Sequence, residues 1–186
     1  MTERDFRSLP PDLPVPVDDG AAGHLTGMEL PPLALASTHG ELDLREALGG
    51  LGVLYVYPRT GVPGQPSPAG WDDIPGARGC TPQSCAFRDA RDAFAQRGAA
   101  LLGLSAQTLD EQREFADREH IPYPLFADPE LTLAATLGLP TFEVEARPLY
   151  KRLTLIAEAG RIAHVVYPVF PPDRNAEEIL AWLDAR

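Results

Sequence analysis

The apolar positions of the chain fall into short runs that predict β-strands separated by helices. Two of these runs, 51–57 and 99–105, have the length and the density of apolar residues that are typical of buried central strands. Shorter apolar segments predict a pair of strands around the turn at 38–40 and a hairpin around the turn at 158–160. The predicted strands are 33–37, 41–43, 51–57, 99–105, 152–157 and 161–167.

Start and stop signals mark the helices between these strands. Thr81 as an N-cap and Pro82 at the first helical position open one helix, and Gly98 ends it. Thr108 with Glu111 resembles a capping box, which opens a second helix that runs to about 119. Two further helices are predicted, one opened by Asp128 and Pro129 and ended by Gly138, and one capped by Asn175 with Glu178. This order predicts an α/β domain with a mixed central sheet and helices on both faces, and a thioredoxin-like fold satisfies it.

The first 29 residues differ in composition from the rest of the chain. They contain Pro10, Pro11, Pro14 and Pro16 together with several glycines and aspartates. Such a segment buries little apolar surface, so we predict an extended or loosely ordered N-terminal arm at 1–29. Residues 30–186 suffice for one domain with a full-sized core, because 44% of the chain is hydrophobic.

The composition limits the partners and the chemistry. With a net charge of −11 and no basic cluster, the chain is not expected to bind nucleic acid or an anionic membrane. No apolar run is long enough to span a bilayer or resembles a secretory signal, so we expect a cytoplasmic protein. Two cysteines are too few for a disulfide scaffold or a cysteine-based zinc site, and no histidine lies near them in sequence. The two closely spaced cysteines therefore indicate redox chemistry.

The two cysteines, Cys80 and Cys85, occupy different positions on one predicted helix. Cys80 lies at the N-terminus, where free backbone N–H groups and the helix dipole favour a thiolate. Cys85 falls one turn later, beside the apolar face, and is expected to be less ionised. Five helical steps of about 1.5 Å separate the two by roughly 7.5 Å along the axis, so a disulfide between them requires local unwinding. Spacing alone equally allows two small buried side chains.

The residues around this pair resemble those of a known family. Tyr57-Pro58 ends a predicted central strand, and the run Gly-Cys-Thr-Pro-x-x-Cys-x-Phe-Arg-Asp occupies 79–89. Supporting segments are Gly-Leu-Ser at 103–105, Pro-Leu-Phe-Ala-Asp-Pro at 124–129 and Arg-Leu-Thr at 152–154. From about residue 30 to the C-terminus, the chain is similar to the Q-type peroxiredoxins, also called the bacterioferritin-comigratory-protein class.

The resemblance implies a mechanism that uses no cofactor and no metal. It implies that Cys80 attacks hydrogen peroxide or an organic hydroperoxide and becomes a sulfenic acid. Cys85 would then form an intramolecular disulfide with Cys80, which thioredoxin or a similar dithiol protein reduces. Arg152 would hold the thiolate and polarise the peroxide, with Lys151 and Arg147 as alternatives for this role. The class also suggests a monomer.

Three features depart from the family pattern. Ala77 stands where a threonine or serine is usual, three residues before Cys80, so Thr60 or Thr81 is expected to supply the missing hydroxyl beside the retained Pro58. Residues 59–79 contain an insertion rich in proline and glycine. Gln83 stands where many relatives carry a glutamate.

Two other functions are compatible with a redox-active cysteine pair. The first is a redox-sensing or chaperone-like binding module that uses the same disulfide switch without high turnover. The second is a thiol–disulfide oxidoreductase, although such proteins normally carry Cys-x-x-Cys, which this chain lacks. Counting peroxide turnovers with a thioredoxin system separates an enzyme from a sensor.

Overall fold

The computed structural model describes residues 7–186, which form nine strands and six α-helices. The strands are β1 (Ala34–Ser37), β2 (Gly40–Asp43), β3 (Leu51–Val56), β4 (Ala100–Ser105), β5 (Leu125–Ala127), β6 (Thr141–Val144), β7 (Arg147–Tyr150), β8 (Leu153–Glu158) and β9 (Arg161–Val166). The helices are α1 (Leu44–Leu48), α2 (Cys80–Asp89), α3 (Arg91–Gln96), α4 (Leu109–Glu119), α5 (Thr132–Leu137) and α6 (Asn175–Asp184). Within residues 7–186, no helix combines the length and the apolar character that a bilayer crossing requires.

Seven of the strands form one mixed sheet in the order β2-β1-β5-β4-β3-β8-β9. Strand β4 runs parallel to both β3 and β5, whereas the remaining pairs in this sheet are antiparallel. Strands β6 and β7 form a separate hairpin. The central strand β3 therefore has a partner on each side. Its C-terminal end leads into the loop that precedes Cys80, the first residue of α2.

Helices cover both faces of the sheet. Alternate residues of β3 belong to two buried clusters, with Leu54 and Val56 in one and Val53 and Tyr55 in the other. The first cluster takes apolar side chains from α1 and α5, and the second takes them from α2, α3, α4 and α6. The mixed sheet with helices on both faces is therefore confirmed, and it accounts for the continuous apolar run in β3.

The helix that carries the cysteines differs from the predicted one. It begins at Cys80 with Gly79 as its N-cap, and no side chain caps it, so the prediction that Thr81 is the N-cap is wrong. Gly79 has a φ of 104°, and a Cβ there would lie 2.3 Å from Cγ of Pro172. This left-handed turn sets the helix start, which places Thr81 inside the first turn. The predicted helix is also divided at Ala90, which caps α2 and precedes α3.

Two further capping assignments are changed by the structure, and one is confirmed. Asp128 lies before α5 rather than inside it, and its carboxylate accepts hydrogen bonds from the N–H groups of Thr132 and Leu133. Asn175 does not cap α6, because its side chain is buried and bonds to residues of other elements. The capping box of Thr108 and Glu111 is present, with both of its hydrogen bonds formed.

The described part of the N-terminal arm, residues 7–29, contains no helix and only an isolated bridge, between Glu29 and Arg161. It nevertheless packs closely against the domain. Leu25 is fully buried in the first core cluster, and Asp19 pairs with Lys151 at 2.7 Å. The hydrogen bond from Lys151 lowers the pKa of Asp19 to about 2. The arm contains few apolar residues, but these specific contacts hold its described part against the domain.

We predict that Leu25→Ala destabilises the whole domain, because it removes a fully buried side chain from the main core cluster. The expected loss in free energy of unfolding is about 2–5 kcal/mol. Val17→Ala is the matched control in the same segment, since Val17 is 84% exposed, and it is expected to change stability by less than about 0.5 kcal/mol. Denaturant unfolding of the three proteins measures both values. Equal, small losses would show that the arm is not part of the cooperative unit.

Candidate active site

Cys80 lies where the loop after β3 meets the first turn of α2. Its side chain is almost completely buried, with the residue 3% exposed. Its thiol lies 3.7 Å from the carbonyl oxygen of Ala77, which accepts the S–H hydrogen bond. The tight turn at Gly79 lies so close to Pro172 and Leu9 that a side chain at this position would clash with them.

Arg152, which immediately precedes β8, contacts this thiol. Its Nη2 lies 3.3 Å from Sγ of Cys80 and also donates to the carbonyl oxygens of Ala77 and Arg78, at 3.1 and 3.0 Å. Its Nε donates to the carbonyl oxygen of Gly76 at 3.3 Å, and its Nη1 donates to Oε1 of Gln83. The guanidinium is thus held by the loop and the helix together.

The guanidinium of Arg152 is buried, and no carboxylate pairs with it among residues 7–186. The residue is 3% exposed, and its hydrogen bonds within residues 7–186 go to backbone carbonyls, one amide and the thiol. A buried cation is costly unless an anion lies beside it. The group next to Arg152 that can become an anion is the thiol of Cys80, and the two lie in direct contact.

A second layer of buried polar groups holds Gln83 in place. Nε2 of Gln83 donates to Oδ1 of Asn175 at 2.9 Å, and Thr154 donates to the same oxygen at 2.7 Å. All three residues are fully buried. Sequence reasoning missed this role of Asn175, since asparagine before a helix is also a common cap. Its Nδ2 has no hydrogen-bond partner among the described residues.

Cys85 lies on the same helix and in a different environment. It is partly exposed, and its Sγ lies 3.6 Å from Oε2 of Glu119 at the end of α4. Burial, the largest cause, raises the pKa of Cys85, and Glu119 adds to this effect while Arg88 opposes it. Both cysteines are free thiols within one ten-residue helix, so the structure is that of the reduced protein.

The structure places the two candidate hydroxyl groups in different surroundings. Thr60 is buried but donates its hydroxyl to Oε1 of Gln107, while Thr81 follows Cys80 in the chain and lines the same pocket. Pro58 accepts a hydrogen bond from Ser105 through its carbonyl oxygen. The two alternatives to Arg152 are engaged elsewhere, Lys151 with Asp19 and Arg147 with Glu111.

The insertion forms the wall of the pocket that leads to Cys80. Trp71 lines this pocket, is nearly buried and packs its ring against Phe142 of β6, with the ring centroids 6.3 Å apart. The other lining residues are Arg59, Gly61, Val62, Gln65, Pro66, Ser67, Pro68, Arg78, Gly79, Cys80 and Thr81. No group of histidine, cysteine and acidic residues between positions 7 and 186 could hold a metal ion.

Comparison with known proteins identifies the family to which these features belong. The family model for Redoxin matches residues 25–180. Peroxiredoxin Bcp of Bacillus subtilis (strain 168) is 28% identical over 163 residues, which cover 85% of this chain and 94% of the relative. Peroxiredoxin Q, chloroplastic, of Arabidopsis thaliana is 28% identical over 161 residues, or 86% of this chain and 67% of the relative. The crystal structure of peroxidoxin BcpB from Mycobacterium tuberculosis aligns with a TM-score of 0.69 and 28% identity, over 87% of this chain and 98% of that one.

These relatives confirm the resemblance drawn from the residues around Cys80, and the structural match confirms the thioredoxin-like fold. The matched region includes both cysteines and Arg152 and extends back to Leu25 in the arm. The chain belongs to the Redoxin family and is a peroxiredoxin of the Q or Bcp type, a thiol peroxidase.

Proposed function

We propose that Cys80 is the peroxide-attacking residue and that Arg152 activates it. The thiolate sulfur of Cys80 attacks one peroxide oxygen, so an S–O bond forms as the O–O bond breaks. The departing oxygen takes up a proton and leaves as water or an alcohol, and Cys80 becomes a sulfenic acid. The observation that carries this proposal is the 3.3 Å contact between Cys80 and a buried guanidinium that has no carboxylate partner among the described residues.

Arg152 acts on both the ground state and the transition state of this step. In the resting enzyme it favours the thiolate, and during transfer it faces the oxygen on which negative charge develops. The helix N-terminus alone contributes about 0.3–1 kcal/mol, which is less than a tenfold change in thiolate population. The fixed cation of Arg152 beside the sulfur therefore supplies the larger part of the proposed activation.

The proposed second step joins Cys80 to Cys85. The Cys85 sulfur attacks Cys80, an S–S bond forms, the S–O bond breaks, and the hydroxyl leaves as water. Both residues lie in α2, so the helix has to unwind between them before the sulfurs meet. A dithiol protein, thioredoxin or a similar one, then reduces the disulfide. This role of Cys85 rests on its place in α2 and on the family resemblance.

The substrate range, assembly and location are also proposals. The wall of the pocket combines apolar side chains of Val62, Pro66 and Trp71 with the polar edge at Thr81, which suits hydrogen peroxide and organic hydroperoxides alike. The family resemblance supports a monomer. The composition supports a cytoplasmic location. Sedimentation of the reduced protein tests whether it is a monomer, and fractionation of cells tests whether it is cytoplasmic.

We expect Cys80→Ser to abolish peroxide turnover with a thioredoxin system, because it removes the sulfur that contacts Arg152 and lines the pocket. Cys85→Ser is expected to consume about one equivalent of peroxide and then to stop, because the sulfenic acid has no partner for the disulfide. Mass spectrometry of the stalled protein should show added oxygen on Cys80.

These variants also test the alternative functions. Retained turnover in Cys80→Ser would refute the assignment, and intermolecular disulfides in the parent protein would refute Cys85 as its partner. The relatives do not favour a redox sensor. Many turnovers per molecule identify an enzyme, and a single turnover would identify a sensor.

We expect Arg152→Ala to slow peroxide attack by about two orders of magnitude or more, because it removes one charged donor from the transition state. Stopped-flow oxidation measures this rate, and the pH dependence of Cys80 alkylation measures the loss of thiolate. Lys151→Ala and Arg147→Ala are the controls, since both side chains pair with acidic residues away from Cys80. A larger defect in either control would show that the arginine has been assigned wrongly.

We expect Gln83→Met to slow peroxide attack by about tenfold, because it removes the side-chain oxygen that accepts the hydrogen bond from Nη1 of Arg152. A loss of about 1.4 kcal/mol in transition-state stabilisation gives a factor of ten. Stopped-flow oxidation measures the rate. Gln83→Glu is the matched control, since it keeps an acceptor at a position where many relatives carry glutamate, and it is expected to retain most of the rate. Equal rates for Gln83→Met and the parent protein would contradict a role of Gln83 in holding Arg152.

A further inference from the structure

A buried carboxylate lies against the second cysteine, and the mechanism described above does not use it. Glu119 ends α4, and its side chain is 2% exposed. Its Oε2 lies 3.6 Å from Sγ of Cys85, and its Oε1 pairs with Nη1 of Arg118 at 2.8 Å. Arg7 adds a contact at 3.1 Å to Oε2. Two guanidinium groups therefore pair with the carboxylate that faces the thiol.

Glu119 also connects the second half of α2 to the end of α4 through two contacts. Nη1 of Arg88 donates to the backbone carbonyl of Glu119 at 2.6 Å, while the thiol of Cys85 contacts the carboxylate. A little further along the chain, Tyr123 donates to the carbonyl oxygen of Ser84 at 3.1 Å. Unwinding of α2 around Cys85 breaks these contacts together.

We propose that Glu119 is a positioning residue that keeps the thiol of Cys85 protonated and in place until α2 unwinds. The proposal rests on the assigned role of Cys85 as the partner of Cys80. It adds the condition under which Cys85 becomes reactive. In the folded helix the carboxylate accepts the S–H hydrogen bond and repels the thiolate. Once α2 unwinds, Cys85 moves away from this anion into water and gains its full nucleophilicity.

Burial and charged groups of both signs act on the pKa of Cys85. Burial raises the pKa of Cys85, Arg88 acts in the opposite direction, and Glu119 raises it both by charge and by the hydrogen bond. The two cysteines of α2 therefore have different contacts, since Cys80 contacts the guanidinium of Arg152 and Cys85 contacts the carboxylate of Glu119. The titratable and charged groups that face Cys85 are Arg88 and Asp89 from α2, Glu119 from α4, Tyr55 from β3 and Tyr123 from the segment before β5.

The test uses Cys80→Ser as the background, so that Cys85 is the only thiol in the full-length chain. The rate of Cys85 alkylation by iodoacetamide is measured across pH in this protein and after the further change Glu119→Gln. We expect Glu119→Gln to shift the alkylation profile to lower pH and to speed the reaction near neutral pH by about tenfold, the effect of removing one charged neighbour.

Glu114→Gln is the matched control. Glu114 lies on the same helix and pairs with the same Arg118 at 2.8 Å, but Cys85 contacts Glu119 instead. This control is expected to follow the background protein. Hydrogen exchange of the α2 amides, measured in parallel, separates a charge effect from loosening of the helix.

The outcomes distinguish the proposal from its alternatives. A shifted profile with unchanged protection of α2 supports it. An unchanged profile would overturn it, and so would a shift that comes with lost protection, since Glu119 would then act by packing alone. The assay contains no peroxide and no Cys80 thiol, so it does not depend on turnover. A failure of the assigned role of Cys85 would appear instead as normal turnover in Cys85→Ser.

Discussion

The contact between the guanidinium of Arg152 and the sulfur of Cys80 is the interaction around which the site is organised. A cation that is excluded from water and has no carboxylate beside it needs another source of compensation. Here the compensation comes from backbone carbonyls of the loop, from Gln83 and from a thiol that can ionise. Much of the surrounding structure serves to keep water and competing anions away from that pair.

The fold brings these groups together from distant parts of the chain. The end of β3 leads into the loop, Gly79 turns it into α2, and the entry to β8 supplies the arginine. Because β3 and β8 are neighbours in the sheet, the two ends meet at the same edge. The active site is therefore a consequence of sheet order, and the helix dipole adds a smaller contribution at the same point.

The sequence predicted the family and its chemistry more completely than it predicted the helices and strands around the site. Cys80 was predicted from a specific run of residues, whereas Arg152 was one of three candidates, and its contact with the Cys80 sulfur became visible only in the structure. The break at Ala90 carried no local signal, since alanine is the strongest helix former. Strand β5 and the β6–β7 hairpin were missed because their short runs lie among prolines and charged residues.

Second-layer residues were missed for a related reason. Asn175 matched the pattern of a helix cap, while its actual partners, Gln83 and Thr154, lie on other elements. Glu119 was only the expected end of a helix, and nothing in its sequence neighbourhood indicates a cysteine 34 positions earlier. Contacts of this kind depend on how helices pack, which local sequence patterns do not describe.

The hydrogen bond between Gln83 and Asn175 ties the last helix of the chain to the first turn of the cysteine helix. The residues that line the pocket at Cys80 lie between positions 59 and 81, yet Asn175 of α6 holds the glutamine that bonds Arg152. The site therefore depends on a much longer part of the chain than the motif around Cys80, because it includes a residue of α6. Removal of α6 would take away the hydrogen-bond partner of Gln83, and with it the support of Arg152, although Cys80 and Arg152 themselves would be unchanged.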